Sequence, residues 1–106
     1  MIIHIVLFNL RGEDPASVAK VMERLGRLGA LPMVRSFAAG GCVELQEVSP
    51  ALRSREYRYG AVFSFETEEA VRAYLQHPTH QEIAAELRAH FSEARVIDIK
   101  VAEASP

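Results

Sequence analysis

The stretch Ile2-Ile3-His4-Ile5-Val6-Leu7-Phe8-Asn9 decides the fold, because it reads as a strand that is apolar on both faces. Short runs of β-branched and aromatic residues favour an extended chain. Successive side chains of a strand point to opposite sides. Ile2, His4, Val6 and Phe8 therefore share one face, and Ile3, Ile5 and Leu7 share the other. A layer of helices can cover only one of these faces, so the second needs a different cover. The economical cover is the same face of a second copy, which closes a two-fold homodimer.

The remaining segments supply the helices and the partner strands. Asp14-Pro15 is an N-cap followed by proline at the first helical position. Val18, Val21, Met22, Leu25 and Leu28 follow at helical spacing, with Gly29 closing the segment and Gly26 expected to fray its last turn. Residues 33–45 read as a second strand, with a bulge or bend at Gly40-Gly41. A polar loop covers 46–56. Tyr57, Tyr59, Ala61, Phe63 and Phe65 then alternate with other residues in the clearest strand of the chain. Thr67 caps a helix that runs to about Gln76, Pro78 starts another that reaches about Phe91, and residues 96–101 form a last strand. The order β-α-β-β-α-β, with right-handed crossovers, predicts an α+β, ferredoxin-like protomer: an antiparallel four-stranded sheet with helices on one face. Residues 1–102 are read as one domain and 103–106 as a short tail.

Composition excludes several classes. A net charge of −2 with scattered Lys and Arg gives no basic footprint for nucleic acid. The apolar run Ile2–Phe8 is far shorter than the ~20 residues that span a bilayer, and it has no signal-peptide flanks. A single cysteine, Cys42, implies a reducing, cytoplasmic setting and is expected as a buried thiol on a strand.

Concentrated acid–base chemistry occurs once, at His77-Pro78-Thr79-His80, three residues after Tyr74. Pro78 fits the first position of a helix, which places His80 in the first turn, where the helix dipole disfavours the imidazolium. His80 shares an apolar stripe with Ile83, Ala84 and Leu87, and Tyr74 shares one with Ala70 and Val71. His4 lies on the strand face of Val6 and Phe8. An inward His80, an inward Tyr74 and His4 are expected around one cavity. Ala61, Phe63, Tyr59, Val21, Leu25 and His77 are the residues expected to meet a substrate there. The plainer alternative is that each polar residue is an internally bonded core group. His77 is placed to cap the second helix of the pair. His77 and His80 offer two metal-ligand nitrogens and His4 a third, but no His-Glu-x-x-His pattern or cysteine pair accompanies them, and no glycine loop suits a nucleotide. No metal and no cofactor are expected.

At these residues the chain resembles the stress-responsive dimeric α/β barrel (Dabb) family. The resemblance rests on Ile3-His4-Ile5-Val6-Leu7-Phe8, Leu31-Pro32, Tyr57 with Ala61-Val62-Phe63-Ser64-Phe65-Glu66, Ala73 to His80, Phe91 and Val96-Ile97-Asp98. It implies a ferredoxin-like protomer and a homodimer whose two sheets form a barrel. The family's olivetolic acid cyclase type implies a cofactor-free aldol cyclisation in which His80 is the base, Tyr74 its hydroxyl partner and His4 a supporting residue. Asn9 and Tyr59 depart from the family pattern, standing where lysine and histidine are common, and are expected to reshape the cavity. A small hydrophobic carbonyl compound is the implied partner. The alternatives are a cofactor-independent monooxygenase of the related barrel type and a non-catalytic ligand-binding or stress-related dimer.

Overall fold

A computed structural model describes residues 1–103. Its elements are β1 (Ile2–Leu10), α1 (Pro15–Gly29), β2 (Ser36–Gly41), β3 (Tyr59–Phe65), α2 (Glu68–Gln76), α3 (Pro78–His90) and β4 (Phe91–Lys100). The four strands form one sheet in the order β2-β3-β1-β4, every neighbouring pair antiparallel. This is the ferredoxin-like arrangement. Residues 104–106 of the expected tail lie outside the described residues.

Local chemistry explains the helix boundaries. Asp14 accepts the Ser17 amide at 3.1 Å, and Thr67 accepts the Ala70 amide at 3.1 Å. Each side chain thereby satisfies a donor that the first turn leaves open. Helix α1 holds through Gly26 without fraying, and the amide of its C-cap, Ala30, donates to the Gly26 carbonyl. At Gly29 a Cβ would collide with the Phe37 ring, so glycine there lets α1 lie close on β2.

The helix-side core holds Phe8, Ala61, Phe63 and Phe65 from the sheet, Val21, Leu25 and Leu28 from α1, and Val71, Tyr74, Ile83 and Leu87 from α2 and α3. The opposite face carries Ile3 beside Ile99, and Ile5 between Ile97 and Val62. No element among the described residues covers it: Val62, Ile97 and Ile99 are 42%, 49% and 46% exposed.

Other sequence expectations change as well. Gly40 and Gly41 pair in regular register with Gly60 and Tyr59, so β2 has no bulge there; it is also shorter than read, six residues at a sheet edge. Cys42 is exposed just beyond β2 rather than a buried strand thiol. The last strand begins at Phe91, not at 96, and the irregularity of the sheet lies here: the register shifts between Asn9 and Leu10. That shift sets Phe91 on the helix side with Ala94, where its ring stacks on Phe8 at 4.6 Å.

Candidate active site

Proline creates the break that positions the site. A residue before proline is driven out of the helical region, and His77 has φ −63° and ψ 133°. It ends α2 and caps α3 together, its amide donating to the Tyr74 carbonyl and its Nδ1 accepting the Thr79 amide at 3.1 Å. With Nδ1 used as an acceptor, His77 is a structural cap. The break carries Tyr74 on the last turn of α2 and His80 on the first turn of α3 to the same spot. Their rings are 4.5 Å apart between centroids.

His4 completes the cluster from β1. Its ring lies 5.9 Å from that of Tyr74 and 5.7 Å from that of Phe63. Its Nδ1 is 2.6 Å from a carboxylate oxygen of Asp98, the residue directly opposite it on β4. A carboxylate can only accept, so Nδ1 carries the proton in this bond, and the Nε2 of a neutral ring is left as an acceptor. His4 is 5% exposed, whereas Asp98 reaches solvent on its far side.

These groups open into a cavity of about 310 Å³ between α3 and the β1–β4 half of the sheet. Helix α3 packs toward α1, where the Arg24 guanidinium Nε donates to both carboxylate oxygens of Glu86 at 3.0 Å. Strand β4 is left only thinly covered: Val96, on the helix side of the sheet, is 55% exposed. Phe63, Leu25, Leu28, Leu87 and Val96 make most of the cavity wall apolar.

The electrostatics suit proton transfer. Burial holds the His80 imidazole below its ordinary pKa; the Leu75 backbone opposes this, while the nearby His4, Arg88 and His77 reinforce it. His80 is therefore neutral at physiological pH, and its buried Nδ1 makes no hydrogen bond of full geometry, although the Leu75 backbone lies near enough to act on the ring. Burial alone pushes the Tyr74 phenol well above its ordinary value, so it stays protonated and able to donate.

Of the residues expected at the cavity, the structure brings together His80, Tyr74, His4, Phe63 and Leu25. Val21 and Ala61 sit deeper, 1% and 0% exposed in the core, and do not line it. Tyr59 lies elsewhere: it stacks on Phe8 at 5.6 Å, and its hydroxyl donates to Glu13 at 3.3 Å. Asn9 also faces away from the cavity. Its amide donates to the Glu56 carbonyl at 2.6 Å and its carbonyl accepts the Arg58 amide at 2.8 Å, tying the end of the β2–β3 loop to β1. Sequence reasoning missed Asp98 and the β4 wall. The available signal was a carboxylate between Ile97 and Ile99, on the parity opposite to theirs. Among the described residues no group of three or more His, Cys, Asp or Glu side chains is placed to hold a metal ion. No helix among them is long and apolar enough to cross a membrane.

The chain matches the stress responsive A/B barrel domain (Dabb) family over residues 2–101 and belongs to it. Among solved structures it is similar to the At3g17210 protein of Arabidopsis thaliana, with 22% identity over the whole of both chains and a TM-score of 0.82. A dimeric ferredoxin-like protein of unknown function from Jannaschia sp. CCS1 is 27% identical over 94% of this chain and 98% of its own, with a TM-score of 0.75. The hydroxynitrile lyase of Passiflora edulis is 16% identical over 99% and 96%, with a TM-score of 0.78. A search among curated proteins finds no match.

Proposed function

We propose that this chain is a homodimeric, cofactor-independent acid–base enzyme acting on a small hydrophobic carbonyl compound, by aldol-type cyclisation or the related lyase reaction. One observation carries the reading: the neutral, half-buried His80 imidazole stands against the protonated Tyr74 on the wall of one cavity. A buried polar atom without a well-formed hydrogen bond destabilises a fold, so the His80 Nδ1 asks for a role. In this reading neutral His80 takes a proton from the carbon next to a carbonyl. The C–H electron pair becomes the enolate π-bond, and the carbonyl oxygen takes the charge and a hydrogen bond from Tyr74. The enolate carbon then bonds to a second carbonyl, and the imidazolium returns its proton to the new alkoxide. A lyase runs these steps in reverse. His4, fixed by Asp98, orients the substrate. The hydroxynitrile lyase on the same fold is a precedent for such chemistry on this scaffold. The uncovered face around Ile5, Ile97 and Val62 supports the dimer, as does the dimeric Jannaschia relative.

The test is turnover in a screen of aryl and alkyl ketones and aldehydes. His80→Ala should lower the rate about 10²–10⁴-fold, the usual worth of a general base, and Tyr74→Phe should lower it less. With His80 as base, rate rises with pH through a pKa below the ordinary ~6.5 of histidine. The raised pKa of Tyr74 leaves no alkaline fall in the ordinary range. Stability follows the same sign: the depressed pKa means the unfolded chain takes the His80 proton first, so stability is present above the unfolded value and lost as pH falls. Full turnover in His80→Ala would overturn the assignment.

A further inference from the structure

The two nitrogens of His4 have different surroundings. Nδ1 donates to the Asp98 carboxylate at 2.6 Å. That bond fixes the tautomer of the neutral ring and leaves a lone pair on Nε2. Among the described residues, the only side-chain polar atoms sealed inside the fold without a well-formed hydrogen bond are Arg53 Nε and His80 Nδ1. Nε2 of His4 has no protein partner either, so it meets open space. With His4 only 5% exposed and on the cavity wall, that space is the cavity. The same holds for the Tyr74 hydroxyl, whose ring lines the same wall 5.9 Å from that of His4. One fixed acceptor and one donor therefore face a single small volume. Asp98 holds the acceptor in place from a half-exposed position. It is the one residue shared with the lining of a second, outer cavity of about 230 Å³, where Glu68, Arg72 and Lys100 also stand. The carboxylate stays hydrated on that side, so it aligns His4 without the cost of a wholly buried charge.

We propose that the cavity takes carbonyl compounds that carry a hydroxyl group on a carbon beside the reacting carbonyl. Tyr74 donates to the carbonyl oxygen, and His4 Nε2 accepts from the hydroxyl. Asp98 is a positioning residue that acts through His4. The inference rests on the acid–base reading of the same cavity and adds the class of substrate. A ketone without the hydroxyl satisfies Tyr74 but displaces water from Nε2 and leaves that atom unpaired, which weakens its binding. A site built around such an acceptor rejects a ligand lacking the hydroxyl more strongly than one lacking a methylene.

A purely structural His4–Asp98 pair, tying β1 to β4, would be indifferent to the hydroxyl, and the experiment separates the two roles. The probes are α-hydroxyacetophenone and propiophenone, which differ in having a hydroxyl or a methyl on the carbon beside the carbonyl. Titrated by NMR against the intact protein, wild type should bind the hydroxy ketone about tenfold more tightly, the worth of one acceptor left unpaired. His4→Phe, which keeps a ring without the acceptor, should bring the two affinities together. Asp98→Asn should lose most of the preference. Nitrogen NMR shifts should show His4 protonated at Nδ1 in wild type and mixed between its tautomers in Asp98→Asn. The acid–base step is read separately, as exchange for deuterium of the protons beside the carbonyl: a proton passes from carbon to His80, and a deuteron returns to the enolate carbon. Equal affinity of wild type for the two ketones, with exchange that depends on His80, would overturn the role of His4 and leave the acid–base reading standing. A wild-type His4 protonated at Nε2 would overturn the role of Asp98. Exchange that is absent in wild type, or that persists in His80→Ala, would overturn the acid–base reading itself.

Discussion

The two faces of the sheet are built from the same residue types and have opposite fates. On the helix side Phe8, Ala61 and Phe65 are wholly buried; on the other side Val62, Ile97 and Ile99 keep nearly half their surface in solvent. Burial here follows reach. Helices α1, α2 and α3 cover β1, β2 and β3 from one side, and nothing among the described residues reaches the other. The helix side is itself uneven, because α3 leans toward α1 and leaves β4 thinly covered. The cavity lies at that uneven edge, so the functional groups sit where packing is incomplete and the core behind them is closed.

The contrast breaks first if the closed core is less closed than it looks. Phe65→Ala, at a fully buried position, should lower stability by about 3–5 kcal/mol, the range for a buried aromatic truncated to alanine. Denaturant unfolding measures it, and a loss below ~1 kcal/mol would contradict the packing described. A substitution on the open face reads differently. Ile97→Asp should shift the sedimenting species from a dimer to the 11.8 kDa protomer, with the helical circular dichroism retained. A wild-type protein that already sediments as a protomer at micromolar concentration would show that the apolar face is left uncovered. Smallest of all should be Val96→Ala, on the helix side but over the cavity. With 55% of its surface exposed, its loss should stay within about 0.5 kcal/mol. A larger effect would mean that α3 or a partner closes over β4 in solution.

Much of this was legible in the chain. Period-two alternation marked β1 and β3, and Asp14-Pro15, Thr67 and Pro78 marked the helix starts by chemistry that acts within a few residues. Such signals survive reading because their causes are local. The turn at His77 was legible for the same reason, since proline constrains the residue before it, and with it the inward direction of Tyr74 and His80. Less local features were misread. Polar Ser92, Glu93 and Arg95 hid the first half of β4, which is extended because it pairs with β1. Gly40-Gly41 suggested a bulge, whereas regular pairing with β3 holds β2 straight and the register shift lies at Asn9 and Leu10. Tyr59 shares strand parity with Ala61 and Phe63, but parity gives a face and no position along the sheet, and Tyr59 lies opposite Phe8, at the end of β3 remote from His4.

The sequence by itself determined the element order, the two apolar faces of β1 and the histidine–tyrosine turn, because helix caps, proline geometry and side-chain periodicity are set by neighbours in the chain. Only the tertiary structure decided that Asp98 stands opposite His4, that α3 leans off β4, and that Arg88 shares a cavity wall with His80. Those facts depend on strand register and helix packing, which arise from contacts between residues far apart in the chain, such as His4 and Asp98 at a separation of 94 positions. A short-range pattern carries no information about such pairs until the chain is folded.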